Sequence, residues 1–227
     1  MCVRVKVCGI NSEEAFDAAV ESGADWIGFV FFPPSPRFVT PVRAAELSAR
    51  RAGGPPRVGL FVDPTEQAIS AALAALPLDI LQLYASPARV AALRRHFGRM
   101  VWRAVGVTRR DDLPYEAGDA DALLIEAKAP VEATRPGGNA RRFDWLVMAG
   151  WQAPAPWILA GGLDAGNVAE AVAMTRASAV DVSSGVERRP GVKDPILIRA
   201  FIAAARGAAR PAEATGPAGR TGADRLP

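Results

Sequence analysis

The stretch Trp157-Ile158-Leu159-Ala160-Gly161-Gly162-Leu163-Asp164 decides the fold, together with its echo at Ala179-Val180-Asp181-Val182-Ser183-Ser184-Gly185-Val186-Glu187. In each, a short apolar run that reads as a buried strand passes directly into a glycine-centred segment. In an eightfold β/α barrel, the loops after strands seven and eight commonly hold a substrate phosphate. Glycine lets the backbone approach an anion, and N–H groups at the start of a following helix can donate to it. If these are strands seven and eight, the ligand carries a phosphate and six earlier β/α units must precede them.

Those units can be read upstream. Short strand-like runs are expected near Val3–Cys8, Trp26–Phe31, Val58–Val62, Ile80–Leu83, Val101–Val105 and Leu123–Glu126. Alanine-rich helical stretches are expected at about Ser12–Ser22, Pro41–Arg51, Glu66–Ala75, Pro87–Phe97, Asp164–Met174 and Asp194–Ala205. Ser12 followed by Glu13 and Glu14 is a good helix start, and Gly23 and Gly98 close the first and fourth helices. Only short helical turns, near Arg110–Tyr115 and Phe143–Met148, follow strands five and six. Eight strands about 25 residues apart predict a single-domain (β/α)8 barrel over residues 1–206. A doubly wound open sheet would need fewer strands and usually a nucleotide fingerprint after strand one, which this chain lacks. Residues 207–227, rich in Ala, Gly, Pro, Arg and Thr, read as a disordered tail. The long connection Lys128–Arg142, with Pro130, Pro136, Gly137 and Gly138, reads as a functional loop at the catalytic end.

Composition narrows the class. The 227 residues are 50% hydrophobic, enough for one packed barrel, and the formal net charge is +3. The arginines fall in scattered pairs with no basic stripe interleaved with aromatics, so no nucleic-acid partner is expected. The five tryptophans read as packing or rim residues, and His96 as a solvated helix end. Cys2 and Cys8 lie on one expected strand, roughly 20 Å apart, too far for a disulfide. Reduced thiols suit the cytoplasm. No apolar run approaches a membrane span, and Met1-Cys2-Val3-Arg4 does not open a secretory signal.

Strand alternation assigns side chains to faces. Val3, Val5 and Val7 should face the covering helices, which turns Arg4, Lys6 and Cys8 inward, with Cys8 at the C-terminal mouth. By the same parity Leu124 and Glu126 point inward from strand six, and Asp181 from strand eight. A thiol and two carboxylates thus converge on the end that carries the glycine loops. Strands one and six lie roughly across the barrel, a geometry suited to removing a proton from carbon on one side and delivering one to oxygen on the other. Cys8 acts as a base only as thiolate, helped by Lys6 and the helix start near Asn11. Glu126 acts as an acid only while protonated, which burial favours. Lys6 needs a carboxylate partner inside the barrel.

With these residues assigned, the chain resembles the phosphoribosylanthranilate isomerase family of tryptophan biosynthesis over about residues 3–206. The resemblance rests on the ordered set Lys6-Val7-Cys8-Gly9-Ile10, Gly23-Ala24-Asp25, Gly28-Phe29-Val30-Phe31, Ser35-Pro36-Arg37, Val58-Gly59-Leu60-Phe61-Val62, Phe143-Asp144-Trp145, Gly161-Gly162-Leu163 and Asp181–Glu187. It implies an Amadori rearrangement of a phosphoribosyl anthranilate without metal or cofactor, in a monomer or homodimer. It makes Cys8 the base and puts Glu126 in the acid position. It pairs Arg37 with the substrate carboxylate through a bidentate fork. It gives Gly161, Gly162, Ser183, Ser184 and Gly185 to the phosphate, and Asp181 to substrate hydroxyls or the catalytic groups. Four places depart from the pattern the resemblance implies: Glu126 replaces the usual aspartate, Tyr84-Ala85 the usual His-Gly, Gly137-Gly138-Asn139-Ala140-Arg141 the usual loop ending in lysine, and Ala160 stands where serine is common. The departures leave two alternatives open: isomerisation of a related ribosyl phosphate, or binding of a phosphorylated metabolite without turnover.

Overall fold

The computed structural model describes residues 2–130, 132–133, 135–139 and 142–208. Eight parallel strands follow one another around a closed barrel. They are β1 (Arg4–Cys8), β2 (Trp26–Val30), β3 (Arg57–Val62), β4 (Ile80–Tyr84), β5 (Met100–Val107), β6 (Ala122–Ala127), β7 (Trp157–Leu159) and β8 (Ala179–Val182). Closure comes from β8 pairing back onto β1, which sets Lys6 opposite Asp181. The covering helices are α1 (Glu13–Glu21), α2 (Pro41–Ala49), α3 (Glu66–Ala75), α4 (Pro87–Phe97), α5 (Val168–Thr175) and α6 (Pro195–Gly207). Single 3₁₀ turns at Arg110–Asp112 and Trp145–Met148 follow β5 and β6, where only short helical turns were expected.

Local chemistry explains the helix starts. The side chains of Ser12, Thr40, Thr65 and Ser86 each accept a hydrogen bond from the backbone N–H three residues on. Such caps satisfy donors that a helix start otherwise leaves unpaired. Pro41, Pro87 and Pro195 occupy first-turn positions, where a missing N–H costs nothing. The helix expected from Asp164 begins only at Val168. Asp164 Oδ1 instead accepts from the N–H groups of Gly166 and Asn167, which holds that segment in a turn.

Two other expectations change. Helix α6 runs through Gly207, the first residue of the expected tail, and residues 209–227 lie outside the described part of the chain. A two-stranded hairpin, β9 (Glu187–Arg189) with β10 (Val192–Lys193), sits between β8 and α6. Its strands are too short for a period-two pattern to announce them.

Packing follows the alternation. Val3, Val5, Val7, Leu123, Ile125, Val180 and Val182 join the core between strands and helices. Inside the barrel Trp26, Val58, Ile80, Trp102, Ala122, Ile158 and Ala179 form an apolar plug, with the Trp26 and Trp102 rings edge to face at 5.2 Å. This plug seals the N-terminal end and leaves the polar inward positions at the C-terminal mouth.

Candidate active site

One pocket opens at that mouth, with about 610 Å³ of free space counting its solvent-open part. Cys8, Arg37, Glu126, Asp181, Gly161, Gly162, Ser183 and Ser184 all line it. Gly185 does not. It packs against the Leu163 carbonyl so closely that a Cβ could not fit, and so joins the loops after β7 and β8. Gly161 and Gly162 have φ of +87° and +65°, backbone that L side chains rarely adopt. The turn that carries the loop along the rim therefore requires them.

Cys8 ends β1 beside Gly28 of β2. A Cβ on Gly28 would sit 3.0 Å from the Cys8 sulfur and 3.2 Å from Lys6 Cε, so glycine there makes room for the thiol and its neighbour. Lys6 Nζ donates to Asp181 Oδ1 at 2.8 Å, and both groups are buried. This supplies the carboxylate partner that an interior ammonium needs. Burial works against the Lys6 charge, but Asp181 and Cys8 together hold its pKa above the ordinary lysine value. Burial also raises the Cys8 thiol pKa, with Lys6 and Lys193 pulling it down and Asp181 pushing it up. The help expected from Lys6 is present, yet burial outweighs it. The helix start lies where it was expected, with Ser12 as the cap of α1 beside Asn11.

Glu126 sits near the end of β6, 5% exposed. Burial raises its pKa to about 8, opposed in part by the Tyr84 hydroxyl and by Lys6. The side chain therefore holds its proton at neutral pH, the form an acid needs. A linked stability effect follows. The unfolded chain releases this proton near the ordinary value of 4.5, whereas the folded chain keeps it until about 8. The group's contribution is thus complete below about 4.5 and is lost as pH rises through about 8. Glu126→Gln is expected to match the parent's Tm at acid pH and to exceed it above pH 8, as thermal unfolding across that range will show.

Arg37 differs from expectation in one respect. Its Nε and Nη2 form a bidentate pair with Glu187 at 2.6 and 2.8 Å, so that fork is already occupied. Its Nη1 lies against Gly138, on the long loop. Glu187 in turn accepts from Lys193 Nζ at 2.8 Å, and Lys193 also donates to the Ser183 carbonyl at 2.8 Å and its hydroxyl at 3.3 Å. Burial raises the Glu187 carboxyl, but the two cations win and its pKa falls; burial lowers Lys193 to about 8. The hairpin thereby ties Arg37 to the β8 loop. Neither Glu187 nor Lys193 was assigned a role from sequence, since their partners lie on other elements. Arg135 was also missed as an individual residue, although the loop that brings it to the pocket was recognised by its length.

A buried thiol beside an ammonium, facing a protonated carboxyl across a pocket with an anion-fitting loop, belongs to a β/α-barrel enzyme working by proton transfer. Comparison with known proteins gives the particular family. A family model described as N-(5'phosphoribosyl)anthranilate (PRA) isomerase matches residues 5–204. The N-(5'-phosphoribosyl)anthranilate isomerase of Acidiphilium cryptum is 55% identical over 207 residues, covering 90% of this chain and 99% of that one. The crystal structure of phosphoribosyl anthranilate isomerase from Thermotoga maritima superposes with a TM-score of 0.77 at 36% identity, covering 90% of this chain and 99% of that one. Another, solved in complex with reduced 1-(o-carboxyphenylamino)-1-deoxyribulose 5-phosphate, gives 0.73 at 34% identity, with the same coverage. The chain belongs to the N-(5'-phosphoribosyl)anthranilate isomerase family and is an isomerase of tryptophan biosynthesis.

Proposed function

We propose that the chain converts N-(5'-phosphoribosyl)anthranilate to 1-(2-carboxyphenylamino)-1-deoxyribulose 5-phosphate, with Glu126 as acid and Cys8 as base. The observation that carries this reading is the pairing of a protonated Glu126 with a Lys6-supported Cys8 on one pocket. Glu126 gives its proton to the ribose ring oxygen as the C1′–O bond breaks, and the anilino nitrogen lone pair forms the C1′=N bond. Cys8 gives its thiol proton to solvent, and the thiolate then takes the C2′ proton; solvent returns a proton to the Glu126 carboxylate after turnover. The C2′–H electrons become the C1′=C2′ bond, and the C=N electrons return to nitrogen. The resulting enolamine tautomerises to the ketose, moving a proton from the C2′ hydroxyl to C1′. No net oxidation occurs.

Gly161, Gly162, Ser183 and Ser184 hold the phosphate at one end of the pocket, with Gly185 keeping the two loops together. Arg37, through the Nη1 edge that Glu187 leaves uncovered, receives the anthranilate carboxylate, with Arg135 as the second guanidinium at the mouth. Asp181 orients the Lys6 ammonium toward Cys8. Among the described residues no helix is long and apolar enough to cross a membrane. The two free cysteines suit a cytoplasmic site of action. Turnover of phosphoribosylanthranilate by the purified chain, followed by loss of anthranilate fluorescence, tests the proposal. A rapid, complete decay is expected, and a folded chain that leaves the fluorescence unchanged would refute it.

A further inference from the structure

Tyr84 and Glu126 both line the pocket at the barrel mouth. Tyr84 ends β4 and Glu126 comes near the end of β6, so β5 runs between them. The β5 residues of inward parity near the mouth are Ala104 and Gly106, and Gly106 pairs in register with Glu126. Above the pair sits Gly137 of the long loop. A Cβ on Gly137 would lie 2.5 Å from the Tyr84 hydroxyl and 2.9 Å from both Glu126 carboxyl oxygens. Three separate elements therefore meet at one point, and the loop can close over it only as glycine.

We propose that Tyr84 is a positioning residue for Glu126. Its phenolic O–H donates to the carboxyl group, fixes the longer glutamate arm at the mouth, and stabilises the carboxylate formed when the acid delivers its proton. The donor is suited to this task, because burial first and Glu126 next raise the phenol pKa well above its ordinary value, and it stays protonated. It also counters burial, which alone would make Glu126 hold its proton too firmly. The other charged or titratable groups around Glu126 are Lys6 and Cys8 from β1, Asp181 from β8, and Arg37 and Arg135 across the pocket. None of them offers a neutral hydroxyl donor. The meeting of the two side chains beneath Gly137 is geometric, while the catalytic consequence rests on Glu126 being the acid.

The test uses the full chain with Tyr84→Phe, which keeps the ring and removes the donor. A hydrogen bond to a charged group is worth roughly ten- to hundred-fold in rate. Turnover should fall by about that factor, with KM changed less than about threefold. The infrared band of the protonated Glu126 carboxyl, assigned by its absence in Glu126→Gln, should titrate at higher pH in Tyr84→Phe, because a donor favouring the charged form has gone. A merely structural tyrosine would leave that titration in place. In a Glu126→Asp background, whose shorter arm withdraws from the phenol, Tyr84→Phe should have little further effect. An unmoved carboxyl titration, or equal losses in both backgrounds, overturns the proposal. Full activity in Glu126→Gln would instead sink the acid assignment, whatever the infrared titration shows.

Discussion

Replacing Cys8 by serine is expected to lower kcat by about 10²–10⁴-fold, the usual worth of a positioned general base. Serine fits the space beside Gly28, so the barrel should keep its fold and the loops after β7 and β8 their shape. The loss should therefore fall on kcat, with KM little altered. The cause is acidity. Lys6 and Lys193 can draw a thiol toward its anion even while burial resists, but a hydroxyl begins far less acidic and gains no comparable anion from the same neighbours. Steady-state kinetics on the two proteins decide the matter. Turnover within about threefold of the parent would remove Cys8 from the mechanism.

Glu126→Gln should be comparably damaging, again by about 10²–10⁴-fold in kcat. The amide fills the same volume and can still accept a hydrogen bond, yet it has no acidic proton for the ring oxygen. Ring opening is then left to water, which the buried carboxyl normally replaces. The same substitution removes an ionisable group whose charged form burial penalises, so lost activity should come with gained alkaline stability. That combination separates a lost acid from a damaged fold. If Glu126→Gln turned over at the parent rate, ring opening would need another proton source.

Glu126→Asp tests the length of the acid's arm. Shortening the arm by one methylene moves the carboxyl away from Tyr84, and a shift of about 1 Å can cost on the order of 100-fold. Glutamate and tyrosine meet across β5 beneath Gly137, and a shorter acid would leave that meeting point.

Much of the architecture was legible because it repeats. Apolar runs alternating with alanine-rich stretches located all eight strands, and every strand boundary fell within about two residues of the structure. The inward placement of Cys8, Glu126 and Asp181 followed from parity alone. The β9–β10 hairpin was not legible, since three and two residues carry no period. Nor was the delayed start of α5, which a side-chain turn at Asp164 decides against helix propensity. The Arg37–Glu187 pair was hidden for a different reason. Its members lie 150 residues apart, and nothing local to either names the other. As a result, the bidentate fork expected to meet the substrate carboxylate is turned instead toward the protein's own glutamate.

By itself the sequence determined the eightfold order of strands and which of their residues face inward. These are properties of short segments, and the chain's own stereochemistry dictates them. Only the tertiary structure decided the charge states. Closing β8 onto β1 brings Lys6 within 2.8 Å of Asp181 across 175 residues of chain. Folding β4, β6 and the long loop together shuts water away from Glu126 and keeps it protonated to about pH 8. Such shifts depend on distance through space and on the exclusion of solvent, and neither exists until the barrel is closed.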